Sequence, residues 1–242
     1  MSMQTSPRQA ASATPHLPDG EGERFTGFGV MAVPFASGHV LALRVWARTT
    51  IGAPYRSVWH RDPSGSWHMY VTAAPERSCP RYFSAAASFE RVAGIDVEWS
   101  DAAALRVRIP SVLDWTVHLE ATPATKAMSA IAQMIPANAK RSDAVLGAMG
   151  PMSRPVLRTG RMRMVGAAPN RQRFQVVPER VWRVAASAAT IEGASLGTTH
   201  PLDRQTRLGD FWMPQRGVFY VGDARFEAFD PTRHDAPRVA TA

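Results

Sequence analysis

Apolar and polar residues alternate with period two along most of this chain, which is the pattern a half-buried β-strand requires. Successive side chains of a strand point to opposite faces, so every second residue can be buried while its neighbours meet water. The pattern predicts strands near 26–33, 38–47, 55–61, 66–72, 94–99, 104–110, 114–121, 159–166, 172–177, 180–190, 217–222 and 224–229. Short strands punctuated by Gly, Pro and Asp, with no strand–helix–strand rhythm, predict a mainly β fold, an antiparallel barrel or sandwich. They argue against a nucleotide-binding parallel sheet. A chain of 242 residues buries a core without staples, and its one cysteine, Cys79, excludes an internal disulfide or a multi-thiolate metal site.

One stretch breaks the alternation. Thr122-Pro123 suits a helix start, Met128, Ile131, Ala132 and Ile135 follow at helical spacing, and Pro136 stops the run. A second short helix is predicted from Ser142 as N-cap, burying Val145, Leu146 and Met149 and ending at Gly150-Pro151. The expected organisation is a tail at 1–24, one β-barrel domain at 25–230 with a two-helix insertion at about 122–152, and a second tail at 231–242. The amino end lacks the continuous apolar core of a secretion signal, and no apolar run is long enough to span a bilayer. A cytoplasmic protein is the expectation.

The formal charge is +8, carried by 26 Arg and 2 Lys. The stretch 144–178 holds six arginines and no acid, but its only aromatic is Phe174, and no zinc-finger, helix-turn-helix or basic-zipper pattern occurs. Stacking aromatics are what single-stranded nucleic-acid binders use, so nucleic acid is not the expected partner. No phosphate loop, nucleophile elbow or zincin helix is present, and no metal or cofactor is expected. His60-Arg61-Asp62 matches the kinase catalytic triplet only in those three letters, because Trp67 stands where an Asn is required.

Two hairpins can be laid out residue by residue. Asp62-Pro63-Ser64-Gly65 is a turn sequence, and pairing Arg61 with Ser66 sets His60 opposite Trp67 and Trp59 opposite His68. Val58, His60, Trp67 and Met69 then share one face, with His68 on the other, so the two histidines do not share a metal. His60 becomes a general-base candidate in an apolar pocket, against the plainer reading of a satisfied core histidine. In the second hairpin, pairing Trp99 with Leu105 sets Glu98 against Arg106 and Asp96 against Arg108, a charge ladder backed by an apolar face.

Three further places are candidates. His118 and Glu120 share the polar side of 115–120, where an imidazole beside a carboxylate can act as an acid/base pair. In Leu208–Gly217, Asp210 and Arg216 flank Phe211 and Trp212, either as an ion pair or as the rim of a pocket. Met128 and four neighbouring methionines gather around the helical insertion and the strand after it, and Met69 adds a further deformable apolar side chain.

The strand Gly27–Met31, the hairpin Ser57–Asp62 with Gly65-Ser66-Trp67, and the strand Gly217–Gly222 resemble lipocalin-like barrels of the carotenoid hydratase, tocopherol cyclase and AttH type. The resemblance implies an antiparallel barrel whose apolar cavity takes a lipophilic small molecule without a bound cofactor, with His60 and Trp67 as cavity residues. The leading expectation is therefore a protein that binds a mostly hydrophobic molecule. It extends to cofactor-free hydration, cyclisation or isomerisation by His60, His118 or Asp210, with Trp67, Met69, Met128, Trp212 and Arg216 as ligand contacts. The cavity is expected between the barrel and helix 124–135. An alternative is a non-catalytic protein whose arginine-rich surface binds an acidic partner. A third reading, an acetoacetate-decarboxylase-like β fold, needs a catalytic lysine and has only Lys126 and Lys140.

Overall fold

The computed structural model describes residues 5–13 and 16–237. Its elements are α1 (Pro7–Ala11), β1 (Glu23–Pro34), β2 (Val40–Thr49), β3 (Tyr55–Arg61), β4 (Trp67–Val71), α2 (Pro80–Phe83), β5 (Ser88–Arg91), β6 (Asp96–Trp99), β7 (Ala104–Ile109), β8 (Leu113–Glu120), α3 (Pro123–Met134), α4 (Asp143–Leu157), β9 (Val165–Ala167), β10 (Arg173–Ile191), β11 (Ala194–Ser195), β12 (Arg207–Leu208), β13 (Phe211–Trp212) and β14 (Val218–Phe226). Twelve strands form one sheet ordered β5-β4-β3-β2-β1-β14-β10-β8-β7-β6, with β9 and β11 also on β10; β12 and β13 pair separately.

The sheet corrects the expected antiparallel barrel in two respects. It is mixed, because β5 runs parallel to β4. It is also a half-barrel rather than a closed lipocalin-like barrel, since β5 and β6 are both edges. The curl follows from burial. Leu41, Leu43 and Val58 of β2 and β3 share one apolar cluster with Leu105, Val107 and Val117 of β7 and β8, although β1, β14 and β10 separate them in the sheet. Only a rolled sheet brings those ends together, and each residue removed from water contributes about 1.5–3 kcal/mol. The opposite face of β1, β2, β3 and β14 carries a second cluster, covered by α2, α4 and the β12–β13 hairpin.

The second hairpin has the register its sequence predicts, Trp99 against Leu105 and Asp96 against Arg108. The ion pairs run diagonally instead: Arg108 reaches Glu98 at 3.0 Å and Arg106 holds Asp114 of the next strand. The first hairpin is shifted by one residue. Arg61 pairs with Trp67 and His60 with His68, so the two histidines share a face and Trp67 lies on the other. The Asp62 carboxylate causes the shift: Oδ1 accepts Ser66 N at 2.8 Å and the Ser64 hydroxyl at 2.7 Å. Asp62 thereby closes a three-residue loop, with Gly65 at φ 102°.

Prolines and glycines account for the other departures. β10 is one strand of 19 residues rather than two, because a register shift between Pro178 and Arg180 absorbs the missing N–H. The expected break between 217–222 and 224–229 is also absent, since β14 is continuous. α3 starts where predicted, with a reciprocal Thr122–Thr125 capping box. Ala132 is buried on it, but Ile131 is 46% exposed despite its spacing. α4 runs on through Pro151 and Pro155 to a left-handed Arg158. Gly150 does not end the helix: a Cβ there would lie 2.3 Å from Met162 O, so glycine permits the close approach of the segment around Met162; of the strand expected at 159–166 only the end forms, as part of Val165–Ala167. The stretch 1–24 is not wholly a tail, for Ser6 caps α1 with Gln9 at N3, and β1 begins at Glu23. Toward the other end, buried His234 contacts Glu227 at 2.8 Å. Residues 1–4, 14–15 and 238–242 of the expected tails lie outside the described residues.

Candidate functional site

Strand β2 places Ala42, Arg44 and Trp46 on the face that carries the second cluster. Arg44 is only 2% exposed. Its Nη1 donates to Val30 O at 2.7 Å and Leu43 O at 2.8 Å, and Nη2 lies 3.7 Å from Met31 Sδ. The guanidinium carbon stands 4.8 Å from the Trp59 ring and 5.7 Å from the Tyr220 ring. Arg44 forms no ion pair among the described residues. A buried charge ordinarily has a counter-ion, because desolvation costs several kcal/mol per ion (roughly) even after relaxation. Here carbonyl dipoles and π-faces take that place.

Arg44 borders a cavity of about 20 Å³, room for one water-sized guest, whose walls include Tyr55, Trp59, Phe83, Phe211 and Tyr220. Along one wall Trp59 Nε1 donates to Ser57 Oγ at 3.2 Å, Ser57 Oγ lies 3.2 Å from Cys79 Sγ, and Tyr55 Oη lies 3.5 Å from the same sulfur. Burial raises the phenol pKa of Tyr55, Tyr82 and Tyr220, so all three stay neutral donors near neutral pH. Tyr82 donates to Glu23, which also holds Arg81 at 2.6 Å. No hydrogen bond of the Tyr220 hydroxyl occurs among the described residues, and Tyr220 and Arg44 border the same cavity.

The residues singled out from sequence are not brought together. His60 is buried on the other face of β3, with Nε2 2.7 Å from His39 Nδ1 and its ring 6.0 Å from that of His68. Burial, then the neighbouring histidines, lower its pKa to about 4. His118 is exposed on β8. Asp210 pairs with Arg163 at 2.7 Å and accepts Ala167 N at 3.1 Å, so its partner is not Arg216, which is exposed. Trp212 sits under the Arg161 and Arg207 guanidiniums at 5.2 and 5.4 Å. Trp67 and Met69 are buried in the second cluster and Met128 packs against it, none of them bordering the Arg44 cavity. Lys126 is exposed on α3, and Lys140 lies 3.6 Å from Glu179. An open groove of about 380 Å³ runs between α3 and β10, and another of about 490 Å³ lies against α1.

Sequence reading missed Arg44, although a signal was present: one arginine within the apolar run Val40–Trp46, in phase with Trp46. Among the described residues no group of three or more His, Cys, Asp or Glu is placed to hold a metal ion, and no helix is long and apolar enough to cross a membrane.

No family model matches this chain, and no curated protein matches it in sequence. Among solved structures it is similar to an acetoacetate decarboxylase from Legionella pneumophila subsp. pneumophila, at 10% identity and a TM-score of 0.40 over 99% of each chain.

Proposed function

We propose that this protein binds a small, mostly apolar molecule carrying one anionic group, with that group seated against Arg44. The observation that supports the reading is a 2%-exposed guanidinium without an acid partner, facing a cavity beside the unengaged Tyr220 hydroxyl. An anion entering there gains a charge-assisted bond to Nη2 and a neutral bond from Tyr220, in a setting where desolvation strengthens both. The aromatic walls supply the apolar contact. A guest larger than water must displace Phe83 and Phe211, which sit on the four-residue α2 and the two-residue β13, outside the main sheet. His60 stands behind β3 and takes no part in this step.

Thermal shift and calorimetry with benzoate and octanoate, against benzamide and octanol, test the reading. Carboxylates are expected to raise Tm and the neutral analogues to do so far less. Arg44→Met, which keeps volume, should abolish that preference, and Tyr220→Phe should weaken carboxylate binding several-fold. Equal binding of acid and amide, or an unaltered preference in Arg44→Met, would remove the proposal.

A further inference from the structure

A second set of arginines stands without counter-ions at the other surface of the molecule. Arg24 of β1 and Arg225 of β14 are register partners, so their side chains leave neighbouring strands at one level. Arg141 joins them from the turn before α4. A methyl group built on Gly20 would lie 3.8 Å from Arg225 Nη1 and 3.9 Å from Arg141 Nη1, so both guanidiniums flank one point of backbone. Arg24 Nη1 donates to Pro18 O at 3.1 Å. None of the three forms an ion pair among the described residues. The Nε atoms of Arg24 and Arg225 are both buried and have no acceptor.

Three like charges converging with two unmet buried donors is an unfavourable arrangement unless something fills it. A buried charged donor left without an acceptor carries its full desolvation cost. Nearby acids do not supply the need. Glu179 is engaged by Lys140 at 3.6 Å, and Asp223 bonds the Thr26 hydroxyl while burial raises its carboxyl pKa to about 6. Asp19 borders the same groove without pairing to any of the three. An Nε–H beside an Nη–H forms the fork that takes two oxygens of an oxyanion side-on, a geometry in which arginine is better than lysine. The adjoining groove, about 490 Å³, is of the size that accommodates a small organic ligand.

We infer that Arg24, Arg141 and Arg225 form a binding site for a phosphate-type dianion, and that the groove against α1 receives the organic body of a phosphate monoester. The site is separate from the Arg44 cavity, so either can fail without the other.

Calorimetry at fixed ionic strength with inorganic phosphate, phenyl phosphate and glycerol phosphate tests this. At least one probe is expected to bind saturably; a preference for a monoester over inorganic phosphate identifies the groove as part of the site. Arg225→Gln should weaken Kd about tenfold or more, Arg141→Gln, at an exposed position that tolerates change, should weaken it severalfold, and Arg154→Gln on α4 should stay within about twofold. Two results would overturn the inference: no saturable binding by any probe, or Kd rising equally in Arg154→Gln and Arg141→Gln. The latter would mean that only overall charge matters.

Discussion

Arg44 and the Arg24–Arg141–Arg225 group solve the same problem in opposite ways. Arg44 is withdrawn from water, and its charge is met by two carbonyl oxygens and two aromatic faces. Of the other three, Arg141 and Arg225 line a groove, and Arg24 and Arg225 leave two Nε–H groups unmet. Burial and the neighbouring Arg141 and Arg24 lower the pKa of Arg225, while Asp223 and Asp19 oppose the shift. A charge enclosed by fixed dipoles is held rigidly by the fold. Both are proposed to meet an anion, Arg44 as a fixed point within the core and the other three beside an open groove.

The sharpest way to break this contrast is to truncate each arginine. Arg44→Ala should cost roughly 2–4 kcal/mol in urea unfolding, since it empties volume between Trp59 and Tyr220 and strips the carbonyls of Val30 and Leu43. Arg44→Met should be neutral or stabilising in the absence of ligand, because it removes a desolvated charge at constant volume. Similar losses in both variants would show that the charge itself stabilises the fold.

Asp223 gives the next effect. Its folded-state pKa of about 6 lies above the usual carboxylate value, so the folded state holds the proton more tightly. Stability is therefore lost as pH rises from about 4 to 6, and Asp223→Asn should gain on the order of 2 kcal/mol at pH 7, a gain that closes below pH 4. The same variant should tighten phosphate binding by removing a negative charge from the groove. A gain independent of pH would assign the effect to something other than ionisation.

His60 behaves in the reverse sense. With its folded-state pKa at about 4 and an ordinary value near 6.5, the unfolded chain takes up a proton first as pH falls. Stability should decline from pH 6.5 to 4 by on the order of 1–2 kcal/mol after solvent screening, and His60→Gln should flatten that slope. Smallest of all, Arg108→Gln on the exposed face of β7 should change stability by about 0–1 kcal/mol, measured by the same urea titration, since Glu98 and its partner are both wet.

The two hairpins show where sequence reading succeeds and where it stops. At 95–109 the alternation is strict, so burying the apolar face fixes the register, and the loop carboxylate of Asp101, which accepts Ala103 N at 2.6 Å, fits the register that burial selects. At 56–71 both faces carry apolar side chains, so burial does not choose between registers, and one carboxylate, Asp62, decides by gathering Ser64 and Ser66. That single step moved His68 beside His60 and Trp67 into the other cluster. Pro178 looked like a strand end for an equally local reason, but a bulge in β10 accommodates it.

By itself, the sequence determined that the chain is mainly β, where most strands and both inserted helices begin, and the pairing of β6 with β7, because these rest on side-chain periodicity and local caps. Only the tertiary structure decided that the sheet rolls into an open, mixed half-barrel, that Arg44 is enclosed by aromatic rings, and that Arg24, Arg141 and Arg225 meet. Those outcomes depend on which strands become neighbours across long loops, and a pattern of period two is the same whichever neighbours they are.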